Sequence, residues 1–344
     1  MYHLSSELEN EALVFLIIGL LGGVFFSSAV AASSASVIMY HRFGEADFPS
    51  TNTSIEQLDA HITELTSKQY TVLPLEKIVV KLKSGQTLPD RTVGISIDDG
   101  YKSIYTIAWP RLKAANLPFT VFLATAHIDR RSLSHLSWDQ IREMQKAGVD
   151  FGHHTVSHPH LANINPQQLN HEINHANKRF EKELGIRPLL FAYPYGETSL
   201  SITEKIKRHG FLAAFGQHSG VMGSSNDMFY LPRFAMNEAF GNIGRLRLVV
   251  NALPLKVKDI TPLDHLITNK NPPSIGFTIT ENINHLDNLS CFLSHTGQSK
   301  VIKLGSRIEV RTHKKFEKGR TRLNCTMPTK SSRWRWYGRQ FLVR

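Results

Sequence analysis

The sequence predicts an α/β fold: a distorted or incomplete (β/α) barrel of parallel strands, followed by a small C-terminal β-rich domain. Between Thr92 and Phe215, short apolar segments alternate with longer amphipathic ones, which close at Gly148, Gly185 and Gly210. This repetition of strand, helix and strand indicates a parallel sheet with helices on its outside. After about Phe240, prolines and then short alternating segments replace that pattern, as is typical of a β-rich domain.

Each element of the barrel follows from a local signal. The predicted strands are apolar runs at 36–40, 93–97, 119–123, 189–192 and 212–215. Helices are predicted after Thr53, up to about Ala115, and over 137–148, 165–185 and 199–209. Thr53 is the expected N-cap of the first. Ser137 with Gln140 makes a capping box for the third helix. Asn165 before Pro166 provides an N-cap and a proline at the first helical position for the fourth.

The chain divides into four predicted parts. These are a leader at 1–32, the barrel domain at 33–245, a linker at 246–272 and the β-rich domain at 273–344. In the last part, strands are expected at 275–280, 300–304, 307–311 and 334–343. A chain of 344 residues with 41% hydrophobic and 20% charged residues is neither disordered nor a multi-span membrane protein. Two cysteines are too few for a fold built on disulfides.

The net charge of +11 comes from one end of the chain. Lys300–Arg344 contains 14 Lys and Arg residues against two acidic residues, whereas the rest of the chain is nearly neutral. Such a tail can bind an anionic envelope surface, or it can be a solvated face that keeps the protein soluble. No nucleic-acid-binding motif accompanies the charge, so no nucleic-acid partner is expected.

The N-terminus predicts export. Leu13–Phe26 is almost wholly apolar and is followed by small residues, which indicates a signal peptide cut near Ala31 or Ala32. The segment before it is acidic, however, and the apolar run is nearly long enough to remain as an anchor. Either alternative places the protein outside the cytoplasm: periplasmic, secreted or membrane-anchored. In an oxidising compartment Cys291 and Cys325 are expected to form a disulfide, the alternative being two buried thiols too far apart to join.

Adjacent carboxylates end the second predicted strand. Asp98 and Asp99 directly follow the apolar run 93–97, at the end of a strand where parallel barrels place their chemistry. Two neighbouring carboxylates repel each other, and a metal removes the conflict by binding one and leaving the other free as a base. A solvent-facing turn would be the simpler interpretation if the pair stood alone.

A histidine cluster follows another predicted strand. Residues 153–160 contain four histidines, of which His154 and His158 are spaced to converge on one ion from a tight loop. One Asp and two His leave coordination positions open, which is the pattern of catalytic metal sites. A third cluster, at 191–196, ends the next strand, and its Pro194 and Gly196 fix a turn whose backbone N–H groups can serve as an oxyanion hole.

In order and spacing, these clusters resemble the polysaccharide deacetylases, the NodB-homology proteins of carbohydrate esterase family 4. The family's first motif matches 96–100, its second matches 154–159 in full, and its third matches 192–196 except at the first position. The resemblance covers about residues 37–238. It is strongest to the exported poly-β-1,6-N-acetylglucosamine deacetylases, and the C-terminal domain lies outside it.

The resemblance implies a role for each matching residue. Asp99, His154 and His158 would bind a divalent metal, usually zinc. Asp98 would be the general base that deprotonates the attacking water, and the backbone N–H of Tyr195 would stabilise the oxyanion. The products would be acetate and a free amine on the sugar of an acetylated polysaccharide.

Two departures from the family pattern leave roles to be filled. Ala192 occupies the position of the arginine that orients the base, and Arg233 is the candidate to replace it. The usual motif for the general acid is not evident. His265 matches the residue types of that motif, but it follows the proline-rich stretch. His41 and His218 are the alternative candidates for the general acid. Candidates for substrate binding are Trp138, Tyr193 and His218; Trp138 is equally well explained as a core residue.

The sequence therefore predicts an exported, metal-dependent N-deacetylase that acts on an N-acetylglucosamine-containing polysaccharide. Two alternatives remain at this point. An O-acetyl esterase acting on xylan or another glycan would use the same metal and base. A catalytically silent glycan-binding protein would account for the missing arginine and the unassigned acid.

Overall fold

The computed structural model describes residues 31–283 and 286–344. The predicted signal peptide or anchor at 1–32 lies outside the described residues except for its last two. Within the described ranges, no helix combines the length and apolar character needed to cross a membrane.

A parallel sheet forms the larger domain. Its six main strands are β1 (Ser34–Tyr40), β2 (Thr92–Asp99), β3 (Thr120–Leu123), β4 (Asp150–His153), β5 (Leu190–Ala192) and β6 (Ala213–Phe215). Each strand pairs in parallel with the next, in the order β6-β5-β4-β3-β2-β1. All carboxyl ends therefore lie at one edge of the sheet, where the polar clusters begin.

An irregular segment spans the gap between the two ends of this sheet. Leu231 pairs with Phe215 of β6, and Phe234–Ala235 pairs in parallel with β1. Phe122 of β3 and Phe215 of β6, which are not neighbours in the sheet, bring their rings within 5.7 Å of each other. The sheet is therefore curled around an apolar interior. The predicted distorted or incomplete barrel is confirmed, and Arg233 lies in the segment that spans the gap.

Helices surround the sheet. They are α1 (Ile55–Leu65), α2 (Leu75–Lys83), α3 (Trp109–Ala114), α4 (Thr125–Asp129), α5 (Trp138–Lys146), α6 (Pro166–Leu184), α7 (Leu200–Arg208) and α8 (Ile243–Val250). Both predicted N-caps, Ser137 and Asn165, form capping boxes. The predicted N-cap Thr53 is wrong by one residue, because the Ser54 hydroxyl accepts from the Gln57 N–H and makes the box instead.

Successive side chains of β1 contact two apolar clusters, as the period of a strand requires. Val37 packs with Phe122 and Phe215 in one cluster. Ile38 belongs to another, which includes residues of the surrounding helices such as Leu58 and Ile141. The strands are therefore buried on both faces, which agrees with their continuous apolar runs.

The C-terminal region forms a second sheet. Its strands are β7 (Val257–Thr261), β8 (Ile275–Ile279), β9 (Ser290–Leu293), β10 (Gly297–Leu304), β11 (Arg307–Arg311), β12 (Gly319–Pro328) and β13 (Trp334–Val343). They pair antiparallel in the order β13-β12-β9-β10-β11-β8-β7. Cys291 and Cys325 lie opposite each other on β9 and β12 and are joined by a disulfide.

The stretch 246–272, predicted as a linker, contains regular structure. It carries most of α8, and its Leu253–Pro254 and Leu266–Ile267 pair with β13. β7, in the same stretch, pairs with β8. The prolines that suggested a free connection instead lie at or beside short strands of the C-terminal sheet.

The C-terminal sheet packs closely on the barrel through β13. A Cβ on Gly338 would overlap the carbonyl oxygen of Ser219, so the two backbones touch at this position. Nearby, Trp336 packs edge to face on Phe234 of the gap-spanning segment. Arg333 donates two hydrogen bonds to Asp90. The approach of β13 brings the C-terminal sheet to the edge of the barrel that carries the polar clusters.

Candidate active site

The two carboxylates at the end of β2 have different surroundings. Asp98 is fully buried, whereas Asp99 is partly exposed and adopts a left-handed backbone conformation with φ 73°. A positive φ is uncommon for residues other than glycine, although Asn, Asp and His adopt it more readily than the rest. It turns the chain out of the strand, so that the two carboxylates make separate sets of contacts.

Helix α6 holds the histidine loop that follows β4, residues 153–160. Glu172 accepts hydrogen bonds from the backbone N–H groups of Val156 and Ser157 and from the Ser157 hydroxyl. The Thr155 hydroxyl accepts a further bond from the N–H of His158. These bonds fix a loop that contains two residues with positive φ, Thr155 and His158.

Two of the four histidines converge on Asp99. Its Oδ1 lies 3.4 Å from Nε2 of His154 and 3.3 Å from Nε2 of His158. His153 instead accepts a bond from Thr155 N–H at Nδ1 and bonds the Ile173 carbonyl through Nε2, and burial lowers its pKa to about 3. It is therefore a structural residue.

The three donor atoms have the spacing of a metal site. Ligands roughly 2.0–2.1 Å from a tetrahedral ion are about 3.3–3.4 Å apart, which is the distance of Asp99 Oδ1 from each imidazole nitrogen. All three atoms lie within 4.8 Å of one another. Oδ1 of Asp99 and Nε2 of His154 are buried and have no hydrogen-bond partner, and a cation between them would satisfy both. In the described part of the chain, these residues form the one group suited to a metal.

The tautomer of His154 and the protonation of His158 also suit a cation. The Ala192 carbonyl lies 2.8 Å from Nδ1 of His154, which must donate to it, so the lone pair of a neutral ring is on Nε2. Burial and the neighbouring His154 lower the pKa of His158 to about 4, which leaves its imidazole neutral at pH 7. A neutral imidazole is the form that binds metals.

Arg233 holds Asp98. Its Nη1 and Nη2 donate to the two carboxylate oxygens at 2.6 and 2.8 Å, and its Nε donates to the Gly216 carbonyl at 2.9 Å. Both side chains are completely buried. Burial opposes ionisation of Asp98, but Arg233, followed by His154 and His41, outweighs it and keeps the pKa of Asp98 below its usual value. Asp98 is therefore a carboxylate at neutral pH.

The turn after β5 brings Tyr195 to the two histidines that face Asp99. Its ring lies edge-on to His158, with centroids 4.5 Å apart, and stacks on His160 at 4.0 Å. Tyr195 has φ 58° and Gly196 has φ 65°. A Cβ on Gly196 would lie 2.5 Å from the backbone nitrogen of Gln217, so glycine is required there for both conformation and space.

A cavity of about 920 Å³ opens over these groups. From the barrel it is lined by His41, Asp99, His158 and Tyr195, among others. Sequence reasoning missed further barrel residues of its wall, including Tyr101, His135 and Gln217. Of these, Tyr101 could have been predicted from the sequence, because it directly follows the Asp-Asp-Gly run. The C-terminal domain supplies part of the wall, and nothing in the sequence indicated that these residues would reach this cavity: Phe292, Ser294, Arg320, Arg322, Asn324 and Trp336.

Three predicted substrate-binding residues lie elsewhere. Tyr193 is fully buried and donates its hydroxyl proton to the Phe229 carbonyl, so it offers no surface to a glycan. His218 is buried against Tyr230 and lines a different cavity between the two domains, together with the acid candidate His265. Trp138 donates to Asp129 and borders a separate depression. Of the three acid candidates, His41 lines the cavity of Asp99, and its Nε2 is 4.0 Å from Asp98.

Part of the barrel matches the profile of a known family. The family profile described as polysaccharide deacetylase matches residues 85–214, which include the Asp pair, both histidines that face Asp99 and the Tyr195 turn. The chain contains a polysaccharide deacetylase domain. The match and the fold together indicate a hydrolase of the polysaccharide deacetylase type.

Individual relatives are distant. A poly-β-1,6-N-acetyl-D-glucosamine N-deacetylase of Staphylococcus aureus is 28% identical over 233 residues, which cover 60% of this chain and 80% of that protein. Among solved structures, the Streptococcus pyogenes deacetylase PplD superimposes with a TM-score of 0.59 at 21% identity, covering 63% of this chain and 98% of its own. IcaB from Ammonifex degensii superimposes with a TM-score of 0.56 at 23% identity, and the superposition covers 64% of this chain and 98% of IcaB. More than a third of this deacetylase lies outside each superposition.

Proposed function

We propose that this deacetylase is a metal-dependent N-deacetylase of poly-β-1,6-N-acetylglucosamine that releases acetate. The observation that carries the proposal is the convergence of Asp99, His154 and His158 beside an ionised Asp98. The substrate is proposed from the S. aureus relative, whose name gives that polymer. The cavity, at about 920 Å³, is within the size range of sites that hold sugar-sized ligands.

Zinc is the proposed metal. One carboxylate and two imidazoles form a borderline-soft donor set that leaves a coordination position open, which is typical of catalytic zinc. When bound there, the ion would polarise the acetamide carbonyl and lower the pKa of a water molecule.

The chain's own residues then have separate tasks. Asp98 accepts a proton from the water that forms the new C–O bond, and Arg233 keeps Asp98 ionised and oriented for this transfer. The backbone N–H of Tyr195 donates to the oxygen that becomes negative at the acetamide carbon. As the C–N bond breaks, the sugar nitrogen takes up a proton, and His41 is the proposed donor because it lines the cavity next to Asp98.

We also propose that the protein is exported, as the apolar N-terminal segment predicts. Attraction of the basic C-terminal domain to an anionic surface receives little support from the structure. Several of its cationic side chains already pair with carboxylates within the protein. Examples are Arg307 with Glu309, Arg333 with Asp90 and Arg335 with Glu281.

Acetate release from a panel of substrates tests the proposed function. The zinc-loaded protein should release acetate from poly-β-1,6-N-acetylglucosamine with kcat on the order of 1 s⁻¹ or above, and much more slowly from acetylated xylan. Faster release from xylan would identify an O-acetyl esterase. Release from neither polymer, with metal bound, would contradict deacetylation and favour a glycan-binding protein.

A further inference from the structure

The C-terminal domain contacts the catalytic turn directly. Gln340 of β13 is 1% exposed. Its Nε2 donates to the carbonyl oxygens of both Tyr195, at 3.1 Å, and Gly196, at 2.9 Å. Arg320 of β12 donates a further bond to the Tyr195 carbonyl at 3.3 Å. The turn that carries the proposed oxyanion donor is therefore held by residues far away in the sequence.

The orientation of the Gln340 amide is fixed by a neighbour. Its Oε1 accepts a hydrogen bond from Nε of Arg322 at 3.2 Å, a group that can only donate. The NH₂ group must therefore face the turn, where both partners are carbonyl oxygens that can only accept. The assignment of the amide nitrogen follows from this network.

The turn needs such support because of its conformation. Tyr195 carries a Cβ at φ 58°, a conformation that L residues maintain when the surrounding structure imposes it. The carbonyls held by Gln340 belong to the two peptide units that follow the Tyr195 N–H. Without Gln340, the Tyr195 carbonyl would keep only its bond from Arg320, and the Gly196 carbonyl only its bond from the Tyr230 hydroxyl. With half of these bonds lost, the turn could relax, and the N–H would change direction.

We infer that Gln340 is a positioning residue for deacetylation, which aims the Tyr195 N–H at the developing oxyanion by holding the carbonyls of Tyr195 and Gly196. This inference rests on the proposed function. It makes the C-terminal domain, which lies outside the family match at 85–214, a working part of the active site. Oxyanion donors act in the transition state, so loss of their alignment lowers kcat more than it raises KM.

Two substitutions of Gln340 remove the donor in different ways. Gln340→Glu keeps the shape and the acceptor for Arg322, but it cannot donate when ionised. Gln340→Met keeps the approximate volume without any donor. The matched control is Arg333→Gln, just before the same strand, which loses the bonds to Asp90 and to the Asn251 carbonyl and does not touch the turn.

Kinetics on poly-β-1,6-N-acetylglucosamine and amide hydrogen exchange of residues 193–197 provide the test. Both Gln340 variants should lose about tenfold or more in kcat, with KM within about twofold. Exchange in the turn should accelerate, and Arg333→Gln should change neither property. Wild-type kcat in both Gln340 variants, or an equal loss in Arg333→Gln, would overturn the inference. If wild type releases no acetate, the proposed function fails, and unchanged exchange in the Gln340 variants still overturns the positioning role.

Discussion

Asp98→Asn is expected to lower kcat for deacetylation by about 10²–10⁴-fold, the range that a lost general base produces. The amide has the shape of the carboxylate but cannot accept the proton from water. Metal content should not change, because the three donor atoms of the metal site belong to Asp99, His154 and His158. Acetate release and metal analysis on the same preparation measure both properties.

The fold of Asp98→Asn should survive, although Arg233 loses its charged partner. The guanidinium keeps the Gly216 carbonyl and the Ser96 hydroxyl as acceptors, and the oxygen of the introduced amide still accepts one bond. Thermal unfolding checks this expectation. A folded, metal-loaded variant that releases acetate as fast as wild type would show that Asp98 is not the base.

Arg233→Met is expected to lower the free energy of unfolding by about 3–5 kcal/mol at neutral pH, since it leaves a buried carboxylate without its partner. Urea unfolding of the variant and wild type measures the loss. Arg142→Met provides a control, because Arg142 pairs with Glu183 at a more exposed site. Removal of such an exposed pair changes stability by about 1 kcal/mol or less.

The loss of unfolding free energy caused by Arg233→Met should be smaller in acid. In wild type the pKa of Asp98 is lowered on folding, so its contribution to stability is present above the unfolded pKa, about 3.9, and is lost as the pH falls below it. Without Arg233, burial raises the pKa of Asp98. Protonation of Asp98 in acid then removes the unpaired buried charge that destabilises the variant. A loss that is equally large at pH 7 and at about pH 4 would contradict the ion pair as its cause.

The sequence located the chemistry because parallel strands place their carboxyl ends at one edge. Asp98, His154 and Tyr195 each follow a short apolar run, so the barrel brings them together without any long-range information. Arg233 was found through the family pattern, as a substitute for the arginine that Ala192 replaces. Its contact with Asp98 depends on the gap-spanning segment, which has no regular pattern.

Contacts between the two domains could not be predicted. Gln340 lies 145 residues after Tyr195, and nothing in the alternation of β13 distinguishes it from a residue of the small domain's own core. The errors at Tyr193 and His218 have a related cause. Proximity to a motif in sequence does not show which face of the barrel a side chain contacts, and both side chains are buried away from the cavity of Asp99.

Titration of the metal-free protein with zinc, monitored by calorimetry, tests the central claim most directly. Wild type should bind about one ion per chain, as a single mononuclear site requires. His158→Ala should lose that site. His160→Ala, a change in the same loop at a side chain that bonds Glu197, should retain it. Equal zinc binding by wild type and His158→Ala, or no binding by wild type, would contradict a metal centre formed by Asp99, His154 and His158.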